Sequence, residues 1–191
     1  MKITMRTFIA IELPQEVKDT LGRIQDRLKA SGADVKWVEP RNIHLTLKFL
    51  GETDEQTLNK VTAALEEIAK AQKQFSASLS FCDAFPSINS PRVIWQGITR
   101  GEQEIKAVAA RIETRLAETG IPKEEHEFAA HITLGRTRSS RNRREMTELL
   151  TDMAAKPPQA EFAVTALTLF QSTLTPRGPV YTALRYFPLS P

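Results

Sequence analysis

The chain has 191 residues, 41% of them hydrophobic, one cysteine and a formal net charge of +3. Such a length and apolar content suit one globular unit with an ample core, while a lone Cys82 excludes an internal disulfide and no apolar run reaches the roughly 18 residues that a membrane span needs. The mild positive charge permits an anionic partner without demanding one. Cys82 follows the apolar run Leu79-Ser80-Phe81 and reads as a small core residue. The first residues, Met1 to Arg6, lack a signal-peptide hydrophobic segment. A cytoplasmic protein with no membrane partner is therefore expected.

Residues 7–13 are a short apolar run ended by Pro14, which reads as a buried strand. Val17, Leu21, Ile24 and Leu28 then share one helical face, and Ser31-Gly32 stops that helix. Residues 35–38 are extended, residues 39–42 form a turn, and the next strand runs from Ile43 to Gly51. Thr53 and Gln56 make a capping-box pattern for a second helix with Leu58, Val61, Leu65 and Ile68 on one face. Two extended segments, 75–85 and 92–99, flank a proline-bounded loop at 86–91. A third helix carries Ile105, Val108, Ile112 and Leu116 and closes at Gly120-Ile121-Pro122. Another strand starts at Ala130, and five of the nine residues from Arg136 to Arg144 are arginine. A fourth helix with Met146, Leu149, Leu150 and Met153 stops before Pro157-Pro158. Extended segments at 162–174 and 180–187, joined by a turn at 175–179, close the chain.

Two of the three histidines sit in one frame, His44-Leu45-Thr46-Leu47 and His131-Ile132-Thr133-Leu134. Side chains alternate along a strand, so His and Thr two apart point one way and the apolar residues between them point into a core. The order helix, His-x-Thr strand, helix, strand, strand also occurs twice. An internal duplication accounts for both, with two similar α+β lobes related by a pseudo-twofold axis and His44 facing His131 across a shared cleft. No flexible linker separates the halves, so residues 1–191 read as a single domain.

Near neutral pH an imidazole can donate or accept a proton. A pair on opposite sides of one substrate can activate the nucleophile and protonate the leaving oxygen, while hydroxyls beside them donate to anionic oxygens. A phosphodiester fits these parts. Zinc is the main chemical rival, but a third ligand is hard to find: His126 lies in the charged run Lys123-Glu124-Glu125-His126-Glu127 and reads as a solvated loop residue. No Cys pair, Asp-rich loop or His-x-x-x-His spacing is present. A mechanism without metal or cofactor is expected.

The paired frames, the wording His44-Leu45-Thr46-Leu47-Lys48-Phe49-Leu50-Gly51 and the opening Arg6-Thr7-Phe8-Ile9-Ala10-Ile11 resemble the 2H phosphoesterase superfamily. Within it the chain looks like the bacterial and archaeal RNA 2′,3′-cyclic phosphodiesterases, also called 2′-5′ RNA ligases. Ala84-Phe85-Pro86-Ser87 and Tyr186-Phe187-Pro188-Leu189 extend the likeness over nearly the whole sequence. The resemblance implies an α+β, two-lobed duplicated fold with antiparallel sheets flanking a central cleft and helices on the outside. It implies hydrolysis of RNA 2′,3′-cyclic phosphate ends to 2′-phosphates, with reversible 2′-5′ ligation. His44 would be the proton donor and His131 the proton acceptor, with Thr46 and Thr133 on the phosphate oxygens. RNA ends with a cyclic phosphate, tRNA fragments among them, are the implied partner, and a monomer is expected. Two other readings are a cyclic phosphodiesterase for small cyclic nucleotides and a non-catalytic RNA-end-binding protein.

Phe49 and Arg136 each lie five residues after their histidine. Either can stack on a base, and Arg136 can pair with phosphate instead. Strict alternation puts both on the face opposite the histidines. Gly135 allows a bulge that turns Arg136 back; Phe49 has no such glycine before it, so core packing competes with substrate contact there. Alternation places Lys48 on the face of His44 and Thr46, where it would add charge near the phosphate. The arginine run to Arg144 is a candidate for RNA backbone contact or a solvated loop.

Overall fold

The computed structural model of the chain describes residues 4–155, 158, 160–176 and 178–191. Residues 1–3, Pro157 of the expected helix stop and Arg177 of the expected turn lie outside them. The apolar run of the N-terminal segment becomes β1 (Met5–Glu12), followed by α1 (Gln15–Lys29) and the short β2 (Val35–Trp37). One 3-10 turn, Pro40–Asn42, leads into β3 (His44–Thr53), which carries the first motif. Then come α2 (Glu55–Ala71), β4 (Phe75–Ser87), β5 (Ser90–Ile98) and α3 (Glu102–Ala117). The second motif lies on β6 (His131–Thr137), followed by α4 (Arg143–Ala154), β7 (Glu161–Val164), β8 (Ala166–Thr175) and β9 (Gly178–Pro188).

The strands form two sheets, ordered β3-β1-β8-β9 and β2-β6-β5-β4-β7. All the strand pairs within them are antiparallel. Each sheet holds one motif strand, but its strands come from both halves of the sequence. The hairpin β4–β5, which follows the first motif, pairs with β6 of the second. The hairpin β8–β9, which follows the second, joins β3 of the first through β1. This exchange ties the sheets to one another, and a single apolar core runs from Ile9 and Leu45 of one to Ile94 and Ile132 of the other. Val17, Val61, Ile105 and Met146 bring the four helices into the same core. The fold is thus α+β, as expected. No helix among the described residues is long and apolar enough to cross a membrane.

Three local expectations change. The cap of α2 is Asp54, whose carboxylate accepts the Thr57 amide at 2.9 Å. Thr53 is instead the last residue of β3 and donates to the Met5 carbonyl at 3.0 Å. The expected loop at 86–91 shrinks to a tight hairpin, because β4 and β5 pair as far as Ser87 and Ser90. The segment 162–174 is two strands, split at Thr165: β7 pairs with β4 in the larger sheet and β8 with β1 in the smaller. Cys82 is buried as expected, its Sγ donating to Gln96 Oε1 at 3.2 Å, and burial pushes its thiol pKa up to about 12.

Candidate active site

Pairing between β1 and β3 places Ile11 opposite Leu45 and Ala10 opposite Thr46. Ile11 and Leu45 face the core, so Ala10, His44 and Thr46 share the other face. There Phe8, Ala10 and Phe170 form a small apolar cluster with Tyr181 and Ala183 against it. This is the floor under the first motif. Phe8 stacks on the His44 ring with centroids 4.8 Å apart, and Tyr181 meets it edge-on at 5.2 Å. Around His131, Phe85 lies edge-on at 5.2 Å and itself stacks on Trp95 at 4.9 Å.

Both imidazoles make the same backbone hydrogen bond. His44 Nδ1 lies 2.7 Å from the Asn42 carbonyl and His131 Nδ1 lies 2.8 Å from the Ala129 carbonyl. A carbonyl only accepts, so Nδ1 carries the proton and Nε2 is left for the substrate. Burial lowers both pKa values, that of His44 to about 4. The Lys18 charge lowers His44 further, and the Arg136 guanidinium lowers His131 further. At neutral pH both rings are therefore uncharged in the free protein.

Alternation fails beyond Thr46. Ala10 faces Thr46 but its neighbour Ile9 faces Lys48, so Leu47 is the extra residue of a bulge. The second copy does the same: Trp95 faces Thr133 and Ile94 faces Gly135, leaving Leu134 extra. Both bulges turn the chain by one residue. Lys48, expected beside His44, instead pairs with core-facing Ile9; its side chain is 1% exposed, and its amine donates to Glu113 at 2.6 Å and to the Pro122 carbonyl at 3.0 Å, at the edge of the cavity that Thr46 and His131 also line. Phe49, expected to compete for the core, is instead 62% exposed and pairs with Phe8 on the histidine face. Arg136 is also turned out, as the Gly135 bulge allows. The Leu134 carbonyl is held by the Val38 amide at 2.9 Å and by the buried Gln25 amide at 2.9 Å.

A cavity of about 300 Å³ brings Thr46, Lys48, Phe49, His131, Thr133 and Arg136 together. One wall is the loop before β6, which includes the exposed His126 and the half-buried Phe128. That loop is fastened to the first lobe by Glu113, which takes the Lys48 amine on one oxygen and the Glu124 amide, at 3.2 Å, on the other. His44 lines a second cavity of about 200 Å³ with Lys18, Arg41 and Tyr181. Arg136 lies within electrostatic reach of both the His131 ring and the Tyr181 phenol, so it spans the two sides. Among the described residues no group of three or more His, Cys, Asp or Glu side chains could hold a metal ion. The other arginines of the run, Arg138 to Arg144, are exposed, and Arg144 pairs with Glu148 at 2.9 Å.

Sequence reasoning missed the aromatic floor and the basic side chains beside His44. Phe8 and Ala10 alternate with Ile9 and Ile11, so β1 is apolar on both faces, and that run was the available signal. Tyr181 and Lys18 carried none, since only tertiary contacts bring them to β3.

The family model described as LigT like Phosphoesterase matches residues 11–95 and 98–181, and each span holds one His-x-Thr frame. An RNA 2′,3′-cyclic phosphodiesterase of Thermotoga maritima is 36% identical over 180 residues, covering 94% of this chain and 93% of that protein. One from Methanothermobacter thermautotrophicus is 31% identical over 185 residues, covering 97% and 99%. The crystal structure of E. coli LigT complexed with 3′-AMP superposes with a TM-score of 0.79 at 25% identity, covering 99% of this chain and 100% of that one.

Proposed function

Because the chain belongs to the LigT-like phosphoesterase family, we propose that it is an RNA 2′,3′-cyclic phosphodiesterase working through His44 and His131. The observation that carries this reading is the matched pair of Nδ1–carbonyl bonds, which present one Nε2 from each motif. Neutral His131 takes a proton from water, and the water oxygen attacks phosphorus. The P–O3′ bond breaks, and His44, as imidazolium, protonates the departing O3′. A 2′-phosphate and a free 3′-hydroxyl remain. His44 is uncharged before substrate arrives, and the anionic cyclic phosphate beside it raises its affinity for the proton. Its low intrinsic pKa then makes it a strong donor to the leaving oxygen.

Thr46 and Thr133 donate to the non-bridging oxygens, and Arg136 adds a charge-assisted contact as negative charge builds there. Phe49 offers an exposed ring for a nucleobase. Lys48 lines the same cavity, and with its amine tied to Glu113 and Pro122 it braces the cleft wall beside the substrate. When a 5′-hydroxyl takes the place of water, the same steps join two RNA ends by a 2′-5′ linkage, as for cleaved tRNA fragments. One chain supplies both motifs, so a monomer in the cytoplasm, built as one domain of two pseudo-symmetric lobes, is sufficient.

The test is product analysis with an oligonucleotide ending in a 2′,3′-cyclic phosphate. A 2′-phosphate should form at an unchanged rate in EDTA. His44→Ala and His131→Ala should each slow turnover by about 100- to 10,000-fold. Full activity in either variant overturns the assignment, and a 3′-phosphate product reverses the leaving oxygen.

A further inference from the structure

The cavity beside His44 is polar and basic. Lys18 projects into it from the first turn of α1, with a side chain only 11% exposed. An ammonium has three donors. Among the described residues its nearest acceptors are the Arg41 carbonyl at 3.4 Å and Glu12 at 3.7 Å, both at the long end of any useful contact. A nearly buried cation met this loosely is costly unless something else meets it. Arg41 lines the same space, as do the Tyr181 and Tyr186 phenols and Asn42. The one carboxylate there, Glu12, already bonds to Tyr186. With His44 neutral, the two cations outnumber it.

Position along the substrate says what the anion is. Under the phosphodiesterase reading above, on which this inference rests, the cyclic phosphate lies on Thr46, Thr133 and Arg136, and O3′ lies on His44. Thr46 lines the larger cavity and His44 the smaller, so the smaller one begins where the ribose begins. The next charged group past the ribose is the phosphate on its 5′ carbon. We propose that Lys18 and Arg41 form a subsite for the 5′-phosphate of the terminal nucleotide, the group that links it to the rest of an RNA chain. A cavity of about 200 Å³ has room for a phosphate. The subsite distinguishes an RNA end from a nucleoside 2′,3′-cyclic phosphate, which lacks that group. It separates the two substrate classes by a contact on the 5′ side of the ribose, not at the bond that is broken.

The experiment compares uridine 2′,3′-cyclic phosphate with the same compound carrying a 5′-phosphate. Wild-type protein should prefer the 5′-phosphorylated form by about tenfold or more in kcat/KM, as a charge-assisted contact provides. In Arg41→Gln and Lys18→Gln the ratio of the two values should collapse toward one, and added salt should narrow it in the wild type. Arg41 is exposed, so its variant tests the idea even if the Lys18 variant fails to fold. Equal kcat/KM for both substrates in the wild type overturns the subsite, and so does an unchanged ratio in Arg41→Gln. Wild-type protein that hydrolyses neither compound removes the phosphodiesterase reading itself, a different outcome from hydrolysis without preference.

Discussion

Lys48 and Gly135 occupy the same place in the two copies, four residues past the histidine and one past the extra residue of a β-bulge. Both pair with a core-facing isoleucine, yet what they meet differs. Lys48 reaches Glu113 and the Pro122 carbonyl. Gly135 leaves room for Val35 and Trp37, which a Cβ would approach to 2.7 and 2.9 Å. One position thus braces the cleft wall in the first copy and admits β2 in the second.

Gly135→Ala should therefore overpack the β2–β6 contact. A cost of about 1–3 kcal/mol in stability is expected, measured by urea unfolding, with a fall in kcat/KM because Arg136 follows directly. Wild-type stability and activity in this variant would show that β2 yields freely.

Breaking the Lys48–Glu113 pair leaves a buried ammonium without its counter-ion, held, among the described residues, by the Pro122 carbonyl alone. Glu113→Leu should cost about 3 kcal/mol. The double variant Lys48→Met with Glu113→Leu should be more stable than Glu113→Leu alone, since the stranded ammonium is then gone. A double-mutant cycle with no coupling would contradict the pairing at 2.6 Å.

The His44 pKa has a stability consequence whose sign is fixed. It is about 4 in the folded protein against 6.5 for the free group. Between those values the unfolded chain binds more protons, so stability is full above pH 6.5 and falls as pH drops toward 4. The loss amounts to about 3 kcal/mol. His44→Gln should lose about 2–3 kcal/mol less than wild type between pH 7 and pH 4, as urea unfolding at both values would show. Identical pH dependence would mean that the ring is not held neutral by burial.

Arg136 acts electrostatically on His131, in addition to the substrate contact proposed for it. Its positive charge helps to lower the His131 pKa, so Arg136→Ala should raise that pKa. The acid limb of the kcat/KM profile, where the base must be neutral, then moves to higher pH. Salt dependence of RNA binding should also weaken by about one phosphate contact. A profile that falls in height without moving would place Arg136 away from the His131 ring.

Phe49→Ala should raise KM for an RNA end by about tenfold, within the range for loss of one base stack. Unfolding free energy should change little, because the ring is 62% exposed. A large loss of stability with KM intact would return Phe49 to a packing role.

The repeated His-x-Thr frame was legible in the sequence because it rests on short-range physics. Side chains two apart on a strand share a face, and the leucines between them are apolar, so Leu45 and Ile132 had to be buried and the histidines had to look the other way. Helix faces were legible for the same reason. The same rule misplaced Lys48 and Phe49, because a bulge is a property of a pair of strands. Nothing in Leu47 itself announces that Ile9 will face Lys48 and Ala10 will face Thr46. Gly135 hinted at its own bulge, while Lys48, a long cation, concealed the equivalent one.

Local sequence thus determined the two motif strands, the helical faces and the chemistry that paired imidazoles and hydroxyls can perform. Tertiary structure alone decided which hairpin joins which motif, where Lys48 ends and how basic side chains gather beside His44. Those outcomes depend on contacts between residues far apart in the chain: Lys18 with Arg41, Tyr181 with His44, Glu113 with Lys48. Residue order constrains such contacts only through the packing of the whole core.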